Sequence, residues 1–289
     1  MDASKLYFRA LRRISKDEEI FITYIDASYP FYDRQKTLQD EYHFKCICTL
    51  CQTGTKALQD SFLQPFSKAP KSFQESSEAY LTHHADIPDL GRYLNFDASS
   101  AYLVAAETEA HAKLREANSS QPSVQITLLE SLCRSLHDSK IWPVYRVPYV
   151  EARQDLIEVL ISQDRRGDAL THLAKLYFAD LIRFRHHHHP RRVVNVILFF
   201  KLLVYDCMTS DSPMTLPFDV TAALVEIGKD ALDNVVKSHG QESSLTASVV
   251  KKFREVYVEI AEKDKGALEN SRRNIALRDL KAYADGLQL

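Results

Sequence analysis

Three cysteines stand close together in Cys46-Ile-Cys48-Thr-Leu-Cys51, and this spacing is the most specific chemical signal in the chain. Thiolates presented from one turn suit tetrahedral zinc, with Zn–S distances of ~2.3 Å. A structural zinc takes four ligands, and the remaining cysteines, Cys133 and Cys207, each lie alone inside apolar helical patterns where buried, inert thiols are expected. His43 is a nearby but weakly motivated fourth ligand. Without a cation, three thiolates repel one another and stay largely protonated, so the triplet supplies three of four corners of a metal site. The spacing is too tight for a disulfide framework and fits a reducing compartment.

Other chemistry is sparse. No Ser/His/Asp, paired-carboxylate or Cys/His nucleophile pattern stands out. His186 to His189, followed by Pro190, could hold a transition metal weakly but reads as a solvated loop ahead of a proline-started helix. Arg183, Arg185, Arg191 and Arg192 flank it as an expected solvated basic rim. With 37 Lys and Arg against 39 Asp and Glu, the net charge of −2 gives no broad attraction to nucleic acid or anionic lipid. None of the seven glycines stands one residue from another, which argues against dinucleotide and phosphate-cradling loops. The first sixteen residues carry five Arg/Lys and no signal-type apolar run, although a basic, acid-poor start is also a feature of transit peptides. The longest apolar run, Val193 to Phe200, falls far short of the ~20 residues that span a bilayer, so a soluble protein without membrane partners is expected.

The cysteines need elements to position them. Leu6–Leu11 and Ile20–Ile25 have strand composition, and two strands are marginal in water unless something covers them. Asp33 can cap a short helix over DRQKTLQDEY, with Leu38 and Tyr42 on one face. Residues 56–98, Ser/Pro/Lys-rich from Ser67 to Ser77, read as a linker and irregular region. Helical periodicity then predicts helices at 99–117, 123–138, 149–163, 167–184, 191–207, 217–237 and 244–280, the last broken. Leu156, Val159, Leu160 and Gln163 recur at helical spacing. A break at Asp164–Gly167 follows, and Ala169, Leu170, Leu173, Ala174 and Tyr177 resume the pattern. Small residues opposite large ones suit tetratricopeptide-like hairpins, though no clean 34-residue repeat can be written.

The run Ala10-Leu-Arg-Arg-Ile-Ser-Lys-Asp-Glu18-Glu19-Ile20-Phe-Ile-Thr-Tyr24-Ile25-Asp26, then Arg34, Leu38, Tyr42-His-Phe44-Lys-Cys46-Ile-Cys48-Thr-Leu-Cys51, resembles the end of a SET domain and its post-SET segment in MYND-SET (SMYD-like) lysine methyltransferases. One departure is Asp17, where that family usually has glycine; aspartate tolerates a left-handed turn better than most residues. A looser likeness, to the helical domain of fungal members, covers 142–205, including Trp142-Pro-Val-Tyr145-Arg146.

This resemblance implies a mainly α fold: a small β remnant of a SET domain (1–27), a post-SET zinc segment (28–55), the linker (56–98) and a tetratricopeptide-like helical domain (99–289). It implies S-adenosylmethionine as cofactor, Tyr24 as the catalytic tyrosine, Tyr42 lining the lysine channel and Phe44 stacking on the adenine. Zinc would be held by Cys46, Cys48 and Cys51. The implied partner is a protein substrate with a target lysine, histone or non-histone, with no nucleic acid bound directly, in nucleus or cytoplasm. Neither a Gly-x-Gly cofactor segment nor the Asn-His-Ser-Cys stretch, whose cysteine would be the fourth zinc ligand, occurs in the 289 residues. The expectation is therefore the C-terminal portion of a methyltransferase, inactive by itself, from a truncated gene model, a fragment or a degenerate paralogue. The alternative is a non-enzymatic helical scaffold, able to bind peptide or protein, that retains a SET remnant.

Overall fold

The computed structural model describes residues 10, 13–20, 22–25, 27, 29, 31–54, 100–139, 142, 144–184, 187–208 and 214–287. The first strand-like segment apart from Ala10, the 56–98 linker, Arg185 and His186 lie outside these residues. The described residues are mainly helical and contain no strand. Ile20 and Ile22–Ile25, expected as a strand, are irregular, with Ile20, Ile22 and Tyr24 exposed on alternate positions. A strand exists only as half of a ladder, and no described segment pairs with this one.

The helices are α1 (Phe31–Tyr42), α2 (Thr49–Thr53), α3 (Ser100–Asn118), α4 (Pro122–Ser139), α5 (Tyr149–Ser162), α6 (Arg166–Arg183), α7 (Pro190–Met208), α8 (Val220–His239), α9 (Ser244–Lys263) and α10 (Asn270–Gly286). A 3₁₀ turn over Lys265–Leu268 separates the last two, which is the break the periodicity predicts. Capping chemistry sets several ends. Asp219 accepts the Ala222 N–H at the start of α8, and Ser243 accepts the Leu245 N–H at the start of α9. Gly240, at φ 82°, ends α8 in a conformation that costs other residues a Cβ clash. Between α5 and α6 the reversal is made by Asp164 at φ 58°, and Gly167 lies inside α6 rather than in the break.

The contacts form two compact units. In the one spanning Ile20–Gln163, α4 packs on both α3 and α5. Its core is built from Leu129, Cys133, Leu156 and Leu160, together with Trp142, Tyr145 and Arg146, all buried. In the other, which includes Asp164–Leu287, α8 is central and touches α7, α9 and α10, while α6 packs on α7 and α10. Gly228 permits the closest approach here: a Cβ would meet Phe253 at 2.6 Å and Phe200 at 2.8 Å.

Two expectations about side chains are corrected by the packing. Cys207 is exposed rather than buried, because the end of α7 turns that position outward. Arg183 and Arg192 are not a solvated rim; they are 2% and 1% exposed. Arg192 is drawn inward by Asp230, whose carboxylate accepts both guanidinium NH groups at 3.2 and 2.6 Å and the Tyr177 hydroxyl at 2.9 Å. Arg183 lies over the Phe184 ring, 5.1 Å from its centroid, and His189 stacks on the same ring at 4.4 Å. No helix among the described residues is long and apolar enough to cross a membrane.

Candidate metal and aromatic site

The three cysteine sulfurs lie within 4.8 Å of one another, the group among the described residues that gathers ligand atoms. Tetrahedral zinc at ~2.3 Å from each sulfur requires separations of about 3.8 Å, so small side-chain movements would close the set on an ion. Soft thiolates within that reach fit zinc in donor chemistry as well as in spacing. His43 is not in the group. Instead it takes φ 60° just past α1 and turns the chain, and Phe44 donates its N–H to the Leu38 carbonyl at 3.3 Å.

Local structure explains how the sulfurs converge. Gln35 on α1 reaches Cys46 twice, its amide donating to the Cys46 carbonyl at 2.9 Å and its Oε1 accepting the Cys46 N–H at 3.2 Å. Cys48 is the N-cap of α2, which brings Cys51 back one turn later and buries it. Burial pushes the Cys48 thiol up, but the Cys51 and Leu50 N–H groups and the neighbouring thiols outweigh it, so the net direction is down. Cys51 is pushed up to about 12 by burial and by its two sulfur neighbours. The two directions oppose each other because crowded sulfurs cannot all carry charge at once.

Beside this segment three aromatic rings meet. Tyr24 packs edge-on against Tyr42 at 5.1 Å and against Phe44 at 5.5 Å between centroids. The Tyr42 hydroxyl donates to the Tyr24 carbonyl at 3.4 Å. All three rings remain partly exposed, at 52, 42 and 36% for Tyr24, Tyr42 and Phe44. Among the described residues the Tyr24 hydroxyl has no hydrogen-bond partner. Arg34 on α1 is 4% exposed and holds the approach to the helix, donating to the carbonyls of Ala27 and Tyr29.

The structure thus brings Tyr24, Tyr42 and Phe44 together as one cluster and Cys46, Cys48 and Cys51 as another. Sequence reasoning missed Gln35 and Arg34 as the residues that pin them. Arg34 stands in the quoted pattern without a role, and Gln35 has no sequence signal beyond its place on the polar side of an amphipathic helix. Asp17 takes φ 64°, the left-handed conformation expected where a glycine would be usual, and Glu18 closes that turn through the Ser15 N–H at 2.9 Å.

Parts of the chain are similar to lysine methyltransferases. The N-lysine methyltransferase SMYD2 of Homo sapiens is 39% identical over 64 residues, 22% of this chain and 15% of that protein. SMYD2-A of Danio rerio is 46% identical over 99 residues, 34% and 23% of the two chains. The histone-lysine N-methyltransferase ATXR2 of Arabidopsis thaliana is 55% identical over 49 residues, 17% and 10%. No family model matches. The chain therefore spans between 10 and 23% of the length of these relatives, and this partial homology supports a methyltransferase-related function.

Proposed function

We propose that this chain carries the C-terminal part of the catalytic unit of a SET-class protein-lysine methyltransferase of SMYD-like, fungal type, followed by a tetratricopeptide-like helical domain. The observation that carries the reading is the convergence of Tyr24 with Tyr42 and Phe44, from positions far apart in sequence, immediately before the three gathered sulfurs. S-adenosylmethionine, when bound, supplies the methyl group for a neutral lysine amine. Phe44 presents a solvent-facing ring suited to stacking against a purine. The Tyr24 hydroxyl orients the attacking amine and polarises the site, and alignment of this kind is the larger part of the rate gain in a simple displacement. Tyr42 lines the lysine channel and steadies Tyr24 through its carbonyl. Cys46, Cys48 and Cys51 would hold zinc, whose role is structural: it would tie the Phe44 segment to α2.

The 289 residues lack Asn-His-Ser-Cys and Gly-x-Gly, so the chain alone does not turn over. The substrate is a protein lysine, histone or non-histone, and the site of action nuclear or cytoplasmic. Transcript sequencing through the region before the Met1 codon tests this. An in-frame Asn-His-Ser-Cys there, in a product that transfers labelled methyl to protein lysine and loses at least ten-fold of that activity in Tyr24→Phe, is the expected result. In-frame stop codons in place of that motif, or turnover by the 289-residue chain itself, overturn it.

A further inference from the structure

Where α6 begins and α7 ends, within the unit that includes Asp164–Leu287, a cavity of about 190 Å³ opens beside Tyr205. Small-molecule sites usually enclose ~300–1,000 Å³, so this space suits one long side chain rather than a whole ligand. Its inner wall is apolar: Leu170 and Leu202 are 1% and 8% exposed, and Met214 lies against Gly167. Its polar lining is biased toward negative charge. Arg166 is already committed, bonded to Asp164 at 2.7 Å and lying 4.2 Å over the Tyr205 ring. Asp206 is different. Its carboxylate oxygens accept the Met214 N–H at 3.2 and 3.3 Å, and it has no ion-pair partner among the described residues. A carboxylate can accept about four hydrogen bonds, so among the described residues most of its capacity is unused.

We propose that this cavity receives the side chain of a lysine on a partner protein, its methylene stem along Leu170, Leu202 and Met214 and its ammonium on Asp206. Length and charge select the occupant: an apolar side chain would leave the carboxylate uncompensated, and an acidic one would be repelled by Asp206. The Arg166 stack on Tyr205 supplies a rigid rim, and because Arg166 also pairs with the exposed Asp164, the net negative charge of the lining rests on Asp206. The inference goes beyond the methyltransferase reading and does not depend on it, because none of these residues belongs to the aromatic or cysteine clusters.

The test uses the full chain with 13C-methyl-labelled methionine, in which Met214 reports from inside the cavity. A capped Gly-Ser-Lys-Ser-Gly peptide is titrated to millimolar concentration, beside the same peptide acetylated on the lysine amine. The expected result is a saturable shift of the Met214 methyl signal with the lysine peptide, at least five-fold weaker binding by the acetylated one, and about ten-fold weaker binding of the lysine peptide to Asp206→Asn, the loss of a charge-assisted hydrogen bond. Asparagine keeps an oxygen for the Met214 N–H, and the acetylated arm tests the charge on the unaltered chain. An unmoved Met214 signal, equal binding of the acetylated peptide, or unchanged affinity in Asp206→Asn overturns the proposal.

Discussion

Asp180 on α6 is 1% exposed, and its carboxylate accepts one hydrogen bond, from Asn195 of α7 at 2.7 Å. The charged groups facing it are Arg183 on its own helix and Arg191 and Arg192 on α7. Burial wins over the Asn195 bond and these three cations and pushes the carboxyl up to about 6 from the ordinary 3.8. That gap corresponds to about 3 kcal/mol of proton linkage. The sign follows from proton counting. Between pH 3.8 and about 6 the folded state binds more protons at this site than the unfolded chain, so stability falls as pH rises through that window. Asp180→Asn keeps the shape and an acceptor for Asn195 while removing the titration. Urea unfolding of both proteins, followed by far-UV circular dichroism from pH 4 to pH 7.5, isolates the effect as the difference between them. Relative to the native chain, the variant should gain stability progressively from pH 4 to pH 7, by roughly 2 kcal/mol, the rest of the linkage lying below pH 4. A stability difference that stays constant across that range, or one that changes in the opposite direction, refutes the argument that burial governs this carboxyl.

Further outcomes follow from the packing and the metal chemistry. Arg192→Met removes the bidentate partner of the Asp230 carboxylate, which is 16% exposed and also accepts from Tyr177 and, at 2.7 Å, from the Asn234 amide, and this should cost about 3–5 kcal/mol in urea unfolding; a loss below about 1 kcal/mol would show that Tyr177 and Asn234 satisfy Asp230 unaided. Gly228→Ala improves helix propensity by ~1 kcal/mol, but its methyl would press on two aromatic rings closer than 3 Å. Overpacking costs ~1–3 kcal/mol, so the melting temperature should fall, and a rise would mean that Phe253 swings away at no cost. Zinc analysis of the purified chain should find well under one equivalent, lower still in Cys51→Ser. One tightly held zinc per chain would reveal a fourth ligand beyond the three sulfurs.

What the amino-acid order determined by itself is local. Helical periodicity located α3 to α9 to within a few residues, because the 3.6-residue repeat of apolar side chains and the capping residues act within one turn. The break before α10 and the proximity of three sulfurs separated by one or two residues were legible for the same reason, whereas the left-handed turn at Asp17 followed from the family resemblance. Only the tertiary structure decided the rest. Tyr24 meets Tyr42, eighteen positions further along the chain, and Gln35 reaches Cys46, eleven positions further. Arg192 is buried because Asp230, 38 residues away, offers it a carboxylate. Strand composition at 20–25 gave no strand among the described residues, since a ladder needs a partner that composition cannot name. Backbone geometry constrains neighbours along the chain, whereas the choice between exposed and buried, or paired and unpaired, belongs to whichever distant segment packs against a side chain.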